Sequence, residues 1–317
     1  MRRYKIIKEY SRLVTAEDRG HYSTGSFFAR RLLSLTFLCL LLSASVSSKT
    51  TKQRPVYEKA DSTTVCRLLS EARQQPRTTN FPLFFARKFI DRPYVAYTLE
   101  KDGAERLVVN TRQLDCTTLV ETVTALTLCA HAGENTFAAF CKRLQAMRYY
   151  NGVIDRYPSR IHYFTDWIVT NSKAGIVSEI QKPNPPFTAV QTVRVGYMSQ
   201  HPQSYKALKN HPEYLPEIKQ REQRITGMKF RYIPKAKVLN TKAMREAVKD
   251  GDIIAITCKK AGLDIAHLGF AVWRKDGLHL LNASQLHKKV VEEPMTLGKY
   301  LSEHSSHTGI RIIRITK

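Results

Sequence analysis

Apolar residues recur every three to four positions in the first half of the chain, which is the spacing of amphipathic helices. The clearest case follows Asp115, where Leu119, Val123 and Leu126 share one face and Gly133 marks the end. The same spacing predicts four further helices, over about 61–72, 81–90, 136–147 and 160–175. The first half of the folded region is therefore expected to be helical.

The pattern changes after about residue 183. Runs of β-branched and other apolar residues bounded by turn signals predict strands at 253–257, 266–273, 278–283 and 310–315. The stretch 201–214 is rich in Pro, His and Tyr and has the composition of an insertion or lid, so we expect an insertion over about 180–240. Helices followed by strands favour an α+β fold with a mostly antiparallel sheet over alternating α/β units.

Residues 30–48 have the pattern of a secretion signal. Arg30 and Arg31 precede the apolar run 32–42, and small residues follow at 43–48. The run is shorter than the roughly 20 apolar residues that cross a bilayer, which disfavours an uncleaved anchor. We therefore divide the chain into an N-terminal extension with a signal peptide, 1–48, and one exported domain, 49–317, located in the periplasm or cell envelope.

The chain is strongly basic, with 51 Lys and Arg against 27 Asp and Glu and a formal net charge of +24. Residues 1–31 hold eight basic and three acidic residues, so their removal still leaves a charge of +19. Such a charge favours anionic partners: nucleic acid, an acidic membrane surface or a carboxylate-rich substrate. Composition does not choose among the three.

The exported domain would keep an odd number of cysteines, namely Cys66, Cys116, Cys129, Cys141 and Cys258. In an oxidising compartment an odd number leaves at least one thiol free unless two chains are bridged. No pair has the close spacing of a zinc site, so we expect neither a metal nor a cofactor.

Cys116 is the candidate nucleophile. Asp115 is a suitable N-cap, which places Cys116 at the first helical position. There the unpaired backbone N–H groups and the positive end of the helix dipole favour an anion, so we expect a lowered pKa for the Cys116 thiol. The alternative, from this stretch alone, is a buried structural cysteine.

A cysteine nucleophile needs a base, and the base needs a group that fixes its tautomer. His267 lies on a predicted strand, on the face opposite Leu268. A four-residue turn at 274–277 would pair Trp273 with Leu278 and place Asn282 diagonal to His267, within reach of a side-chain contact. Ser284 shares that face and is a weaker candidate for the same role. The alternative is that the histidine and the asparagine are both structural.

Five motifs occur in an order and at a spacing that resemble a known group of enzymes. They are Pro93-Tyr94, 115–121 (Asp-Cys-Thr-Thr-Leu-Val-Glu), Gly251–Ile254, His267–Phe270 and Asn282–Ser284. This set resembles the NlpC-type superfamily of papain-like cell-wall cysteine hydrolases. The run 160–167 (Arg-Ile-His-Tyr-Phe-Thr-Asp-Trp) and the two threonines after Cys116 resemble its N-acetylmuramoyl-L-alanine amidase-like branch.

The resemblance implies a papain-like core over about 80–315, with the nucleophile at a helix N-terminus packed on the sheet and with helical additions. Cys116 would attack the amide that joins N-acetylmuramic acid to L-Ala, and His267 would protonate the leaving amine. Asn282 matches the third position of the superfamily. Tyr94 matches a site-lining tyrosine whose hydroxyl, with the backbone N–H of Cys116, would serve the oxyanion.

The implied partners are peptidoglycan fragments (muropeptides), whose carboxylates account for the basic charge without nucleic acid. Membrane contact would be limited to the signal segment, and we expect a monomer. Arg160, His162 and Asp166 would bind substrate carboxylates, although a buried polar network that holds the helix would use the same three residues. Trp167 and Ser284 are further candidates for contact with substrate. Two other functions stay open: a stem-peptide endopeptidase, and a non-catalytic binder of anionic cell-surface polymers.

Overall fold

The computed structural model describes residues 54–101 and 103–316, and the predicted signal segment 1–48 lies outside them. In this part of the chain the α-helices are α1 Lys59–Arg73, α2 Phe81–Arg87, α3 Cys116–His131, α4 Phe137–Arg148, α5 Phe164–Lys173, α6 Tyr197–Gln200, α7 Lys206–Asn210, α8 Leu215–Ile225, α9 Lys242–Ala247 and α10 Leu297–Glu303. The strands are β1 Val177–Ile180, β2 Ala189–Thr192, β3 Lys229–Pro234, β4 Ile253–Cys258, β5 Ile265–Trp273, β6 Leu278–Ser284, β7 Lys289–Glu292 and β8 His307–Ile315.

The strands form one sheet in the order β2-β3-β8-β4-β5-β6-β7, and β1 also pairs with β8. Every pairing between these strands is antiparallel. The central strand β4 is hydrogen-bonded on both edges and apolar along most of its length, as expected for a strand covered on both faces. The predicted α+β fold with an antiparallel sheet is confirmed.

Helices cover both faces of the sheet. On one face, α3 packs against strand residues such as Phe270 and Leu281 in a large apolar core that also holds α1, α2 and α4. On the other face, α9 and α10 pack over Ala271 and Leu280. Side chains alternate along a strand, so Leu268, Phe270 and Val272 face α3 while Ala271 faces α9 and α10, as the sequence predicts. It also brings the first turn of α3 beside the start of β5.

Two predicted helix starts are wrong, by two residues for α1 and by four for α5. Helix α1 begins at Lys59, because Glu58 and Asp61 form a reciprocal capping box; Asp61 is buried inside the helix and accepts a hydrogen bond from the Thr111 backbone. Helix α5 begins at Phe164 rather than near Arg160, because a 3-10 turn over Tyr157–Ser159 is followed by extended backbone.

The segment after β2 is helical, which the strand-rich pattern of the second half does not predict. Helices α6, α7 and α8 surround a small apolar cluster that includes Met198, Leu208 and Ile218. Buried Glu222 on α8 accepts a hydrogen bond of 2.7 Å from the hydroxyl of Tyr163, which in turn accepts one of 3.0 Å from the Met198 backbone. These bonds fasten the helical segment to the turn before α5.

Within residues 54–101 and 103–316, no helix combines the length and the apolar character needed to span a bilayer. All five cysteines of this part of the chain are free.

Candidate active site

Cys116 is the first residue of α3. Its predecessor Asp115 is the N-cap, and the Asp115 carboxylate accepts a hydrogen bond of 2.8 Å from the backbone of Thr118. The Thr118 hydroxyl in turn accepts a hydrogen bond from the Asp115 backbone N–H, which completes a capping box. The predicted cap and helix start are confirmed.

The electrostatics of the thiol differ from the sequence-based expectation. Burial, and then the adjacent Asp115 carboxylate, raise the pKa of the Cys116 thiol to about 12. Hydrogen bonding from Thr117 and from the backbone of Leu268 opposes that rise in pKa but does not overcome it. The prediction of a lowered pKa for the Cys116 thiol is therefore wrong, because the sulfur is buried and because the cap that starts the helix also places a negative charge beside it.

His267 and Asn282 lie on adjacent strands and are in contact. The register pairs Trp273 with Leu278 and Phe270 with Leu281, as the turn chemistry predicts. Consequently His267 Nε2 lies 2.8 Å from Asn282 Oδ1. Asn282 is completely buried, so its contact with the ring is shielded from solvent.

The partners of Asn282 determine the tautomer of His267. Asn282 Nδ2 lies 2.9 Å from Oε1 of Glu293, and a carboxylate only accepts hydrogen bonds. The amide NH₂ must therefore face Glu293, and the amide oxygen must face His267. It follows that His267 carries its proton on Nε2 and presents an unprotonated Nδ1. Sequence patterns did not identify Glu293, which follows β7 as one of two adjacent acids.

Both members of the candidate pair are neutral in the resting protein. Burial lowers the pKa of His267, although its hydrogen bond with Asn282 and the charge of Glu293 act to raise that pKa. A raised pKa for the Cys116 thiol and a lowered pKa for His267 favour a thiol and an imidazole over a thiolate and an imidazolium. Among the hydrogen bonds of the described residues, none joins Cys116 to the His267 ring.

Cys116 and His267 line the same cavity of about 580 Å³. Its walls come from the first turn of α3, the start of β5, the turn before α5 and the inserted helices. Several aromatic side chains lie along these walls, namely Tyr97, Tyr157, Tyr163, Phe164 and Tyr205. The inserted segment contributes Met198, Ser204 and Tyr205 to this wall. The Pro- and Tyr-rich composition predicts an insertion here but not which of its residues line the cavity.

Of the residues predicted to bind substrate, His162 lies in the wall of this cavity. Its Nε2 lies 3.1 Å from the backbone oxygen of Tyr157, so that nitrogen carries the proton and Nδ1 is left to accept. Burial and the nearby Arg160 guanidinium lower the pKa of His162 to about 3. The side chain is therefore neutral and can accept a hydrogen bond from a donor group of the ligand. The sequence-based expectation is that His162 binds a carboxylate of the substrate.

Four other residues predicted to bind substrate lie away from the cavity wall. Arg160 is buried and paired with Glu100 at 2.7 Å, and Asp166 accepts hydrogen bonds from Tyr150 and pairs with Arg224 of α8. Trp167 stacks on Phe164 in the apolar core, and Ser284 is buried beside the turn after β6. Each of these four side chains has a structural contact outside the wall of the cavity, and its role in substrate binding stays a prediction.

Tyr94 lies beside Cys116 rather than in the cavity wall. The backbone of Tyr94 pairs with Leu114, two residues before Cys116. Burial, followed by the charges of Cys116 and Asp115, raises the pKa of the Tyr94 hydroxyl to about 12. The hydroxyl therefore keeps its proton at neutral pH and can donate a hydrogen bond.

Within residues 54–101 and 103–316, the His, Cys, Asp and Glu side chains form no group of three or more that could hold a metal ion. The chemistry available at the cavity is that of a cysteine, a neutral histidine and backbone N–H groups.

Several solved structures are similar to this chain. A structure of an N-acetylmuramoyl-L-alanine amidase from Bacteroides uniformis is 41% identical, with 75% of this chain and 98% of that one covered and a TM-score of 0.70. A Bacteroides fragilis protein named as a candidate xylanase is 38% identical over 73% of this chain and 98% of that one, with a TM-score of 0.67.

A protein from Legionella pneumophila is 21% identical over 81% of this chain and 94% of that one, with a TM-score of 0.63, which shows the shared fold. No curated protein matches the chain. The profile of one family, described as N-acetylmuramoyl-L-alanine amidase-like, matches residues 84–310. The chain belongs to the N-acetylmuramoyl-L-alanine amidase-like family.

Proposed function

We propose that this protein is an exported cysteine amidase that hydrolyses the bond between N-acetylmuramic acid and L-Ala in peptidoglycan fragments. The observation that carries the proposal is one cavity lined by both Cys116 and His267, with Asn282 behind the ring, in a chain of an amidase-like family. A papain-like core of the NlpC type is part of the proposal, since it has the same order of nucleophile, base and orienting residue.

The first step is attack on the amide carbonyl. Because the thiol is protonated at rest, His267 acts as a general base and takes the proton on Nδ1 while Sγ of Cys116 bonds to the carbonyl carbon. Asn282 keeps the Nε2 proton in place and stabilises the imidazolium that forms. Proton transfer coupled to attack suits a site where a resting ion pair is disfavoured.

The second step is departure of the amine. The oxyanion of the tetrahedral intermediate would accept hydrogen bonds from the Cys116 backbone N–H, at the positive end of α3, and from the Tyr94 hydroxyl. The proton held by His267 passes to the nitrogen of L-Ala, the C–N bond breaks and a thioester remains. Water, activated by the same imidazole, then hydrolyses the thioester and restores the thiol.

The cavity suits a ligand with sugar and peptide parts. Its aromatic walls, including Tyr157 and Tyr205, offer flat apolar surface for a sugar ring, and neutral His162 offers an acceptor for a hydroxyl or amide N–H. The net charge of +19 that remains without residues 1–31 favours approach of the carboxylates of a stem peptide. These features support a muropeptide ligand over an uncharged peptide.

The xylanase name of one relative raises a second candidate function, glycoside hydrolysis. That reaction needs two available carboxyl groups on either side of the scissile bond. The acidic residues of the cavity wall are Glu100 and Asp264. Glu100 is paired with Arg160, and buried Asp264 accepts a hydrogen bond of 2.7 Å from the Thr165 backbone. Both carboxyl groups are thus occupied, which favours the amidase.

The proposal is tested by incubating the purified protein with defined muropeptides and identifying the products by mass spectrometry. We expect release of an intact stem peptide with a free L-Ala amino group, and loss of this activity in Cys116→Ala. The matched control is Cys66→Ala, which removes an exposed thiol of α1 and should leave the activity unchanged. Internal cleavage of the stem would indicate an endopeptidase, and binding without turnover would indicate a non-catalytic binder.

We also propose that residues 1–48 direct export to the periplasm or cell envelope and that the mature protein works as a monomer. Export is tested by fractionating cells that express the full chain and by sequencing the N-terminus of the mature protein. A mature N-terminus that still contains residues 32–42 would contradict cleavage, and the molar mass in solution tests the monomer.

A further inference from the structure

Glu293 is a buried carboxylate that the proposed mechanism does not use directly. It follows β7, and its side chain is only 2% exposed. Its backbone N–H donates a bond of 2.9 Å to the Leu280 oxygen, which fixes its position beside β6. A buried carboxylate is costly unless each oxygen has a partner, so its contacts indicate what it stabilises.

The two oxygens of Glu293 have different partners. Oε1 accepts from Asn282 Nδ2 at 2.9 Å, and Oε2 lies 3.0 Å from Nε2 of His287. Asn282 has one further acceptor, the Leu280 backbone oxygen at 3.5 Å, which is at the limit of a hydrogen bond. Glu293 is therefore the principal group that decides which end of the Asn282 amide faces His267.

The orientation of that amide has a chemical consequence for the His267 ring, which is in direct contact with it. With the amide oxygen facing the ring, His267 must donate from Nε2, and Nδ1 is the basic nitrogen. With the amide reversed, the NH₂ would face the ring, Nε2 would become the acceptor and Nδ1 would carry the proton. A histidine in that state could not accept the proton of Cys116 on Nδ1.

We propose that Glu293 is a positioning residue that, through Asn282, holds His267 in the Nε2-protonated tautomer needed to accept the thiol proton. The inference rests on the proposed function for its catalytic meaning, but the tautomer itself exists without substrate. Glu293 is separated from the ring by Asn282, so it acts on the base rather than on the reacting atoms.

Nitrogen-15 NMR of histidine-labelled protein without substrate tests the proposal, since the two ring nitrogens report the tautomer directly. We expect the Nε2-protonated form of His267 in the wild type. We expect loss of the single tautomer in Glu293→Leu, with the amidase kcat reduced roughly tenfold or more, as for outer partners that fix a histidine tautomer, and KM unchanged. Glu293→Leu that keeps both the tautomer and kcat would overturn the proposal.

Two further variants separate positioning from a general structural effect. His287→Ala removes the other partner of the carboxylate and leaves the bond to Asn282, so the tautomer should be kept. Glu293→Gln can still present an oxygen to Asn282 but lacks the charge, so we expect the tautomer and most of the kcat to be retained. Glu293→Gln also keeps the proposal testable if Glu293→Leu does not fold.

The charged and titratable groups around His267 include Glu293, His304 at the end of α10, Asp115 before α3 and His307 at the start of β8. Of these groups, the substitutions Glu293→Leu and Glu293→Gln change only the charge of Glu293. Removal of its charge should shift the NMR titration of His267 to lower pH in Glu293→Gln, and an unchanged titration would count against the proposal. If the tautomer follows the prediction but no amidase activity is found, the proposed function fails while the positioning role stands.

Discussion

The ion pair between Arg148 and Glu121 holds α3 against α4, and we expect its disruption to be severely destabilising. Arg148 Nε donates a bond of 2.7 Å to Glu121 Oε2, and Arg148 Nη1 donates one of 2.6 Å to the Val108 oxygen. Each side chain is at most 3% exposed. Glu121 lies five residues after Cys116, so the pair fixes the part of α3 that carries the candidate nucleophile.

Arg148→Met removes one partner and leaves the other buried. Leaving one charge of a buried pair without its partner costs about 3–5 kcal/mol, which lowers the Tm of a domain of this size by roughly 10 °C. Burial already raises the pKa of Glu121 despite the attraction of Arg148, and loss of the guanidinium raises that pKa further. Protonation of the Glu121 carboxyl therefore removes part of the destabilisation caused by the unpaired buried charge.

The pH dependence follows from that proton. When the pKa of Glu121 is higher in the folded than in the unfolded state, the folded state binds more protons, and stability falls as pH rises above about 4.5. Arg148→Met should thus lose more free energy of unfolding at pH 8 than at pH 5. Urea unfolding followed by circular dichroism at both pH values measures the difference.

The double variant Glu121→Leu/Arg148→Met is the control, because it leaves no buried charge and should recover much of the lost stability. A cost below about 1 kcal/mol for Arg148→Met would refute the reasoning, since that value is typical of an exposed pair. An identical cost at pH 5 and pH 8 would refute the role assigned to the buried carboxyl.

Three further predictions concern the site. The acid limb of the pH profile of kcat/KM should lie below pH 6.5, because burial lowers the pKa of His267 and the base works only when neutral; a limb above pH 6.5 would contradict a neutral resting pair. The pKa of His162 is about 3 in the fold, so below pH 6.5 the unfolded state binds a proton that the folded state does not. The free energy of unfolding should therefore fall between pH 6.5 and pH 3 by up to about 1.4 kcal/mol per pH unit. His162→Gln should flatten that slope in urea titrations at pH 7, 5 and 4. Tyr205→Ala should raise KM about tenfold, or about 1.4 kcal/mol, with little change in kcat, whereas Tyr232→Ala, on strand β3, should leave KM unchanged.

The sequence by itself determined the local parts of this protein. The period of apolar residues located α3 and the strands β4, β5 and β6, because burial of one face imposes that period on any helix or strand. The turn at 274–277 set the register of β5 and β6, which brought His267 to Asn282 because register follows from turn length. These features depend on residues that are close along the chain.

Only the tertiary structure decided the properties that depend on surroundings. The pKa of the Cys116 thiol is raised because burial and the charge of Asp115 outweigh the hydrogen bonds from Thr117 and Leu268, and the spacing of apolar residues carries no information on that balance. Arg160 and Asp166 are occupied by partners from distant parts of the chain, while the inserted helices supply a wall of the cavity. Glu293 is recognisable as a site residue only once strand pairing sets it beside Asn282, since an acid near a strand end is ordinarily exposed to solvent.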